Sequence, residues 1–155
     1  MKKIALVAAL ALAAVLTAPA HSATVSNPFN VAINLTSVCR LSTITDVAFT
    51  YTAFQTTAQA STGGAFTLQC TNGVSHTMGL VLGTTGVGST SVTTTDNAVT
   101  LAYTLTTPPV LAANGTARPY TIGGSMNADQ AGTCATTTCT NGPASNKGYT
   151  LIITY

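Results

Sequence analysis

The sequence predicts an all-β protein. Beyond residue 22, large apolar side chains recur at every second position in short runs, and helical spacing is scarce. Clusters of Gly, Pro, Asn and Thr separate these runs, as turns require. Threonine is the commonest polar residue, and its β-branched side chain with a small hydroxyl suits the exposed face of a strand.

Seven alternating runs bounded by turn residues predict seven strands. The first carries Phe29, Val31, Ile33 and Leu35 on one face, and Cys39 follows it directly. The predicted strands are residues 29–38, 47–51, 65–71, 76–82, 98–106, 118–126 and 148–155, and the predicted loops are 56–64, 83–97, 107–115 and 127–147. Seven strands with turn signals between them indicate an immunoglobulin-like β-sandwich, and a jelly roll is the alternative.

Residues 1–22 have the three parts of a secretory signal peptide. Lys2 and Lys3 precede an apolar run, and small residues follow it. The predicted cleavage follows Ser22, with cleavage after Ala20 or Ala23 as alternatives. A retained membrane helix is disfavoured, because the run is shorter than the roughly 20 apolar residues that span a bilayer. The expected organisation is a signal peptide (1–22), an N-terminal strand segment (23–38) and one β-sandwich domain (39–155).

The exported chain of about 133 residues has room for a single sandwich core. Its formal charge is zero, since removal of Lys2 and Lys3 leaves three cationic residues against three aspartates. Without a basic cluster, the composition excludes a nucleic-acid surface and a polybasic membrane patch. A neutral, threonine-coated β-protein also lacks the charges that discourage association between sheet edges. The composition therefore favours a protein that assembles.

Four cysteines in an exported chain favour disulfide bonds, and three pairings are possible. The favoured pairing joins Cys39, after the first strand, to Cys70, and joins Cys134 to Cys139 in a turn-rich loop. A metal site is disfavoured, because only His76 remains after signal removal and only one cysteine pair is close in sequence. No metal and no cofactor are expected.

Catalytic chemistry is poorly supported. The candidate bases are His76 and three scattered aspartates, and there is no nucleophile elbow and no paired Glu. Ser75 adjoins His76, but neighbouring strand residues point to opposite faces. The sequence therefore predicts that the protein is not an enzyme.

Several short motifs recur in an order and spacing that covers nearly the whole exported chain. They are DVAFTY at 46–51, FTLQCTNG at 66–73, GLVLG at 79–83, LAYTL at 101–105, YTIGGSMNADQ at 120–130 and GYTLIITY at 148–155. Together with the strand ending at Cys39, this set resembles the spore coat protein U family, which includes subunits of archaic chaperone–usher pili. Two departures are Thr50, where the family usually has Gly, and the additional pair Cys134 and Cys139.

The resemblance implies an incomplete immunoglobulin-like sandwich that a donor strand completes, supplied first by a periplasmic chaperone and then, at an outer-membrane usher, by a neighbouring subunit. The implied donor residues are Phe29, Val31, Ile33 and Leu35. The implied acceptor edge consists of Tyr149, Leu151, Ile153 and Tyr155.

The functional expectation that follows is a major pilin-like structural subunit, exported through the periplasm to the cell surface and acting in surface adhesion and biofilm formation. Its expected partners are copies of itself or related pilins, a chaperone and an usher. Two alternatives are a lectin-like binding module and a self-contained secreted coat or matrix protein that pairs its own termini.

Overall fold

The computed structural model describes residues 24–142 and 148–155. The predicted signal peptide and part of the last predicted loop lie outside these ranges. The described residues form strands and no helix. The strands are β1 (Cys39–Leu41), β2 (Val47–Ala48), β3 (Gln59–Ala60), β4 (Thr62–Gly63), β5 (Ala65–Cys70), β6 (Thr77–Leu82), β7 (Ser91–Thr95), β8 (Ala102–Thr106), β9 (Arg118–Thr121), β10 (Gly123–Met126) and β11 (Tyr149–Thr154).

Every strand pair is antiparallel among the described residues. One sheet has the order β1-β5-β9 and another the order β3-β10-β8-β7, while β11 pairs with β6 and β2 pairs with β4. The architecture is an immunoglobulin-like β-sandwich, which confirms the predicted fold class.

The core forms where the inner faces of these sheets meet. In β5, Phe66, Leu68 and Cys70 are buried while the residues between them are exposed, as period-two alternation requires. Leu80 of β6 is 1% exposed. The buried cluster consists of Phe66, Leu68, Cys70, Met78, Leu80, Leu105, Tyr120, Ile122 and Leu151.

Both favoured disulfides are present, Cys39–Cys70 and Cys134–Cys139. The first joins directly opposed residues of β1 and β5 and packs against the core. The second closes an exposed loop, since Cys134 and Cys139 are both exposed. The two bridges therefore act in different parts of the domain.

The first predicted strand is not formed in this structure. Residues 24–38 carry no strand assignment, and the first ladder begins at Cys39 instead of ending before it. The reason is physical: an alternating run becomes a strand only when its backbone groups pair with another strand. The chain divides at Asn34 into a segment and a compact unit, residues 35–155.

Other observed strand boundaries also differ from the predicted ones. Residues 98–101, predicted as strand, form a turn that precedes β8, and the predicted strand 118–126 is interrupted at Ile122. Strand β7 lies inside the predicted loop 83–97, and β3 and β4 lie inside the predicted loop 56–64. Strand β7 consists mostly of threonine and contains only one apolar residue, Val92. It therefore lacks the hydrophobic alternation that distinguishes a strand from a turn-rich loop.

Removing the core disulfide with the double variant Cys39→Ser/Cys70→Ser is expected to lower the free energy of unfolding by about 2–5 kcal/mol. Cys134→Ser/Cys139→Ser should cost less, because the cysteines are 5 residues apart rather than 31 and a bridge across a shorter loop removes less entropy from the unfolded chain. Urea unfolding of both variants measures the difference. Equal losses would contradict the assignment of the two bridges to different structural roles.

Candidate partner-binding cleft

A large cleft of about 770 Å³ opens into the sandwich. Its floor consists of core side chains, among them Leu80, Leu105 and Leu151. Its rim comes from the chain around β2, from the turn before β8, from the Cys134–Cys139 loop and from the start of β11. The lining residues are Ile44, Thr45, Asp46, Val47, Ala48, Phe49, Tyr51, Leu80, Asp96, Val99, Leu101, Tyr103, Leu105, Ile122, Met126, Cys139, Thr140, Asn141, Gly148, Tyr149 and Leu151.

Two strand edges border this cleft. All six residues of β11 pair with β6 on one side, and β11 has no strand partner on its other side within 24–142 and 148–155. Strand β2 likewise pairs only with β4 in the same ranges. Both strands contribute lining residues, Val47 and Ala48 from β2 and Tyr149 and Leu151 from β11. Within the described residues, two strands that border the cleft therefore each have one edge without a paired strand.

The structure divides the predicted acceptor residues of β11 into two groups. Leu151 is 8% exposed and Tyr149 is half-buried, and both line the cleft. Ile153 packs against the core cluster without lining the cleft. Tyr155 lies beyond the end of β11 and is 57% exposed. Only the first half of the predicted edge therefore faces the opening.

The predicted donor residues are strongly exposed. Exposed fractions are 85% for Phe29, 73% for Val31, 84% for Ile33 and 80% for Leu35. Large apolar side chains at alternate positions rarely remain in water without a function, because their burial is favourable by about 1.5–3 kcal/mol each. The segment therefore carries an unburied apolar face.

Aromatic residues concentrate where β8 and β11 begin. The Tyr103 ring lies 5.7 Å from Phe49 and 6.2 Å from Tyr149, measured between ring centroids. The Tyr149 hydroxyl donates a hydrogen bond to Thr94 Oγ1 at 2.8 Å. Burial raises the pKa of Tyr103, and the neighbouring Tyr149 hydroxyl and Asp96 carboxylate raise it further. Tyr103 therefore stays neutral in the folded protein well above the usual tyrosine range.

One carboxylate is buried beside these rings. Asp96 is 1% exposed, and its Oδ1 accepts hydrogen bonds from the backbone N–H groups of Ala98 at 2.8 Å and Val99 at 3.0 Å. Its Oδ2 accepts a hydrogen bond from Asn141 Nδ2 at 3.1 Å. These donors offset the cost of taking the carboxylate out of water.

The candidate catalytic groups do not converge on one site. Asp46 and Asp96 line the large cleft, whereas His76 lines a separate cavity of about 10 Å³ beside Cys70 and Arg118. His76 is 8% exposed, and its Nε2 has no hydrogen-bond partner among residues 24–142 and 148–155. Within the described part of the chain, no group of three or more His, Cys, Asp or Glu residues is placed to hold a metal ion. No described helix is long and apolar enough to cross a membrane.

Sequence reasoning missed most of the cleft. Phe49, Tyr103 and Thr140 lie far apart in the chain, and only folding brings them together. Asp96 is one of three aspartates that are scattered in the sequence. The signal that marks it is local: an Asp two and three residues before backbone N–H groups can accept from both of them in a turn.

Comparison with known proteins identifies the family of the chain. A model described as Spore Coat Protein U domain matches residues 25–137, which is more than half of the 155 residues. The chain therefore belongs to the Spore Coat Protein U domain family, which confirms the resemblance stated above. This domain is found in subunits of chaperone–usher pili, and the family is of a structural pilin type whose members are extracellular pilus or coat components. No curated protein and no solved structure matches the chain.

Raising the pH is expected to destabilise the domain through Tyr103. The pKa of Tyr103 is higher in the folded than in the unfolded protein. Its contribution to the free energy of unfolding is therefore complete below about pH 10 and declines as the pH rises toward the pKa of the folded state. Denaturant unfolding at several pH values between about 8 and 11 should therefore show a steeper loss of stability for the wild type than for Tyr103→Phe. Tyr155→Phe, at a residue 57% exposed, is the matched control and should follow the wild-type curve. The prediction is wrong if the free energy of unfolding falls equally with pH in the wild type and in Tyr103→Phe.

Proposed function

We propose that this protein is a structural subunit of an extracellular chaperone–usher pilus and polymerises by donor-strand exchange. In this proposal, Phe29, Val31, Ile33 and Leu35 of one copy enter the cleft of the next copy. One observation carries it: the described part of the chain has both a cleft bordered by two strands that are each paired on one side only and an alternating apolar segment, residues 29–35, that forms no strand.

The donor segment is long enough to extend along β11. A strand rises about 3.3 Å per residue, so residues 29–35 in extended form span roughly 20 Å, close to the length of six-residue β11, of which Tyr149 and Leu151 line the cleft. The four apolar side chains would then point to one face at intervals of about 6.6 Å. Inserted beside β11, the segment gains backbone hydrogen bonds from the free edge and places this face over Leu80, Leu105 and Leu151 on the cleft floor.

The energy of burial is sufficient to hold a fibre. At about 1.5–3 kcal/mol for each fully buried side chain, the four donor residues contribute roughly 6–12 kcal/mol. Ordering the segment and losing the freedom of two separate subunits reduce this gain. Because each subunit both gives a segment and receives one, the same interaction repeats along the fibre.

The proposal also explains the need for other proteins. An open cleft exposes core side chains to water, which favours aggregation. Strand addition by chaperones to pilins is a known solution to this problem. The proposed partners are accordingly copies of this chain or related pilins, a periplasmic chaperone and an outer-membrane usher. The pilus would then serve surface adhesion and biofilm formation.

Protein produced without a chaperone is expected to aggregate or to form very stable oligomers, because its cleft remains unfilled. Co-expression with the cognate chaperone should yield a soluble one-to-one complex. Size-exclusion chromatography with light scattering, together with melting curves over a range of protein concentrations, measures both outcomes. A monomer whose melting temperature does not depend on concentration would instead support a self-contained coat or matrix protein.

Replacing Ile33 with Asp is expected to abolish fibre assembly while leaving the chaperone complex intact. Ile33 is 84% exposed in the isolated chain, so the charge does not disturb the chain's own core. It would prevent docking, because an unpaired charge in an apolar cleft is costly. Chaperone co-purification and electron microscopy of fibres measure the two steps separately.

Asn34→Asp is the matched control, since it adds the same charge to the opposite face of the segment. Normal fibres are expected from this variant. The donor role of the segment would be wrong if Ile33→Asp formed normal fibres, or if it failed to bind the chaperone as the wild type does.

A further inference from the structure

The Cys134–Cys139 loop lies against the turn between β7 and β8. On one side of the bridge, the Thr133 N–H donates to the Val99 carbonyl at 2.7 Å, and the Thr133 and Thr100 hydroxyls are 2.7 Å apart. On the other side, Asn141 donates to the buried carboxylate of Asp96. The loop is therefore attached to the turn at both of its ends.

The turn itself is tightly constrained. Asp96 closes it from both sides, because its carboxylate accepts two backbone N–H groups of the turn and its own N–H donates to the Leu101 carbonyl at 2.9 Å. Thr100 has a φ of 52°, an unfavourable conformation for a β-branched residue. Such a conformation persists only where the surrounding contacts hold it, and here these contacts include the Thr100–Thr133 hydroxyl pair between the turn and the loop.

Turn and loop line the cleft side by side. The turn contributes Asp96, Val99 and Leu101 to the lining, and the loop side contributes Cys139, Thr140 and Asn141. The Asn141–Asp96 hydrogen bond joins the two groups, and the turn leads into β8, whose Tyr103 contacts Tyr149 at the start of β11. These six lining residues, called the end wall below, therefore form one connected part of the lining beside the starts of β8 and β11.

Fold stability accounts for less of the second disulfide than of the first. Cys134 and Cys139 are exposed, neither belongs to the core cluster or packs against it, and their separation of 5 residues gives less entropic stabilisation than the 31 residues between Cys39 and Cys70. The bridge does restrict Cys139, and with it the adjoining Thr140 and Asn141 of the end wall. Its structural effect is thus concentrated on the cleft.

We propose that the disulfide-braced end wall is a specificity element that contacts a terminal apolar side chain, Phe29 or Leu35, of the segment donated by a second copy. This inference rests on the proposed function. The end wall offers apolar Val99 and Leu101 and neutral Thr140 and Asn141 to the occupant, and residues 24–38 are correspondingly without charge. A preformed wall loses less conformational freedom on docking, so the bridge prolongs the residence time of the segment.

The test uses the full exported chain in its soluble one-to-one complex with the chaperone, and a fluorescent peptide of residues 24–38 that displaces the chaperone is the probe. Stopped-flow and polarisation measurements give the association and dissociation rates. Cys134→Ser/Cys139→Ser should release the peptide about 5- to 20-fold faster, with the association rate changed less than threefold. Circular dichroism and mapping of the intact Cys39–Cys70 bridge verify that the variant is folded.

A second pair of variants tests the wall without touching the bridge. Thr140→Arg places a charge in the end wall and should weaken peptide binding at least tenfold. Thr137→Arg adds the same charge to the same loop at an exposed residue that does not line the cleft, and it should bind within twofold of the wild type.

Peptides with single substitutions locate the contact. In the wild-type chain, Phe29→Ala and Leu35→Ala in the peptide should each raise its dissociation rate. This rise should be at least threefold smaller when the bridge is removed, whereas the rise caused by central Ile33→Ala should stay the same. The end wall has no role if Thr140→Arg binds like Thr137→Arg, or if bridge removal leaves both the dissociation rate and the effects of the two terminal substitutions unchanged. Failure of the peptide to bind the wild-type chain would instead overturn the proposed function, on which this inference depends.

Discussion

The fold depends on burying the inner faces of its antiparallel sheets, and this burial is incomplete on one side. Leu80, Leu105 and Leu151 pack in the core and also form the floor of a cleft of about 770 Å³. The strands that flank the opening, β2 and β11, each have a strand partner on one side only within the described residues. Hydrophobic burial and backbone hydrogen bonding are therefore left incomplete at the same place, and one added strand would complete both.

The absence of a ladder over residues 24–38 is consistent with this picture. The segment has the alternation of a strand, yet its apolar side chains stay exposed within the isolated chain. A neutral surface rich in threonine and nearly free of charge offers little resistance to association between sheet edges. Composition, exposed segment and open cleft thus all favour assembly of many copies, in keeping with the structural pilin type of the family.

The two disulfides lie in different parts of the domain, one at the core and one in a loop beside the cleft. Cys39–Cys70 joins β1 to β5 at the edge of the core, where it limits the entropy of the unfolded chain. Cys134–Cys139 lies in an exposed loop attached through Asn141 to Asp96. Asp96 is the most deeply buried charged residue described, and its hydrogen bonds connect this loop to the turn before β8. Ionisable groups are costly to bury and are kept where they fix local geometry.

The sequence by itself determined the fold class, the main core strands and both cysteine pairs, because period-two alternation and turn residues are local properties of the chain. The core strands β5, β6, β8 and β11 coincide with predicted runs to within a few residues. The family resemblance likewise depends on motifs that can be seen in the sequence.

Only the tertiary structure decided which alternating runs became strands and which residues line the cleft. The run 29–38 forms no ladder although its pattern is the clearest in the chain, since pairing requires a partner that alternation alone does not supply. Phe49, Tyr103 and Thr140 converge from three separate parts of the sequence. Their proximity results from long-range packing between sheets and loops, and no local pattern in the sequence encodes those distances.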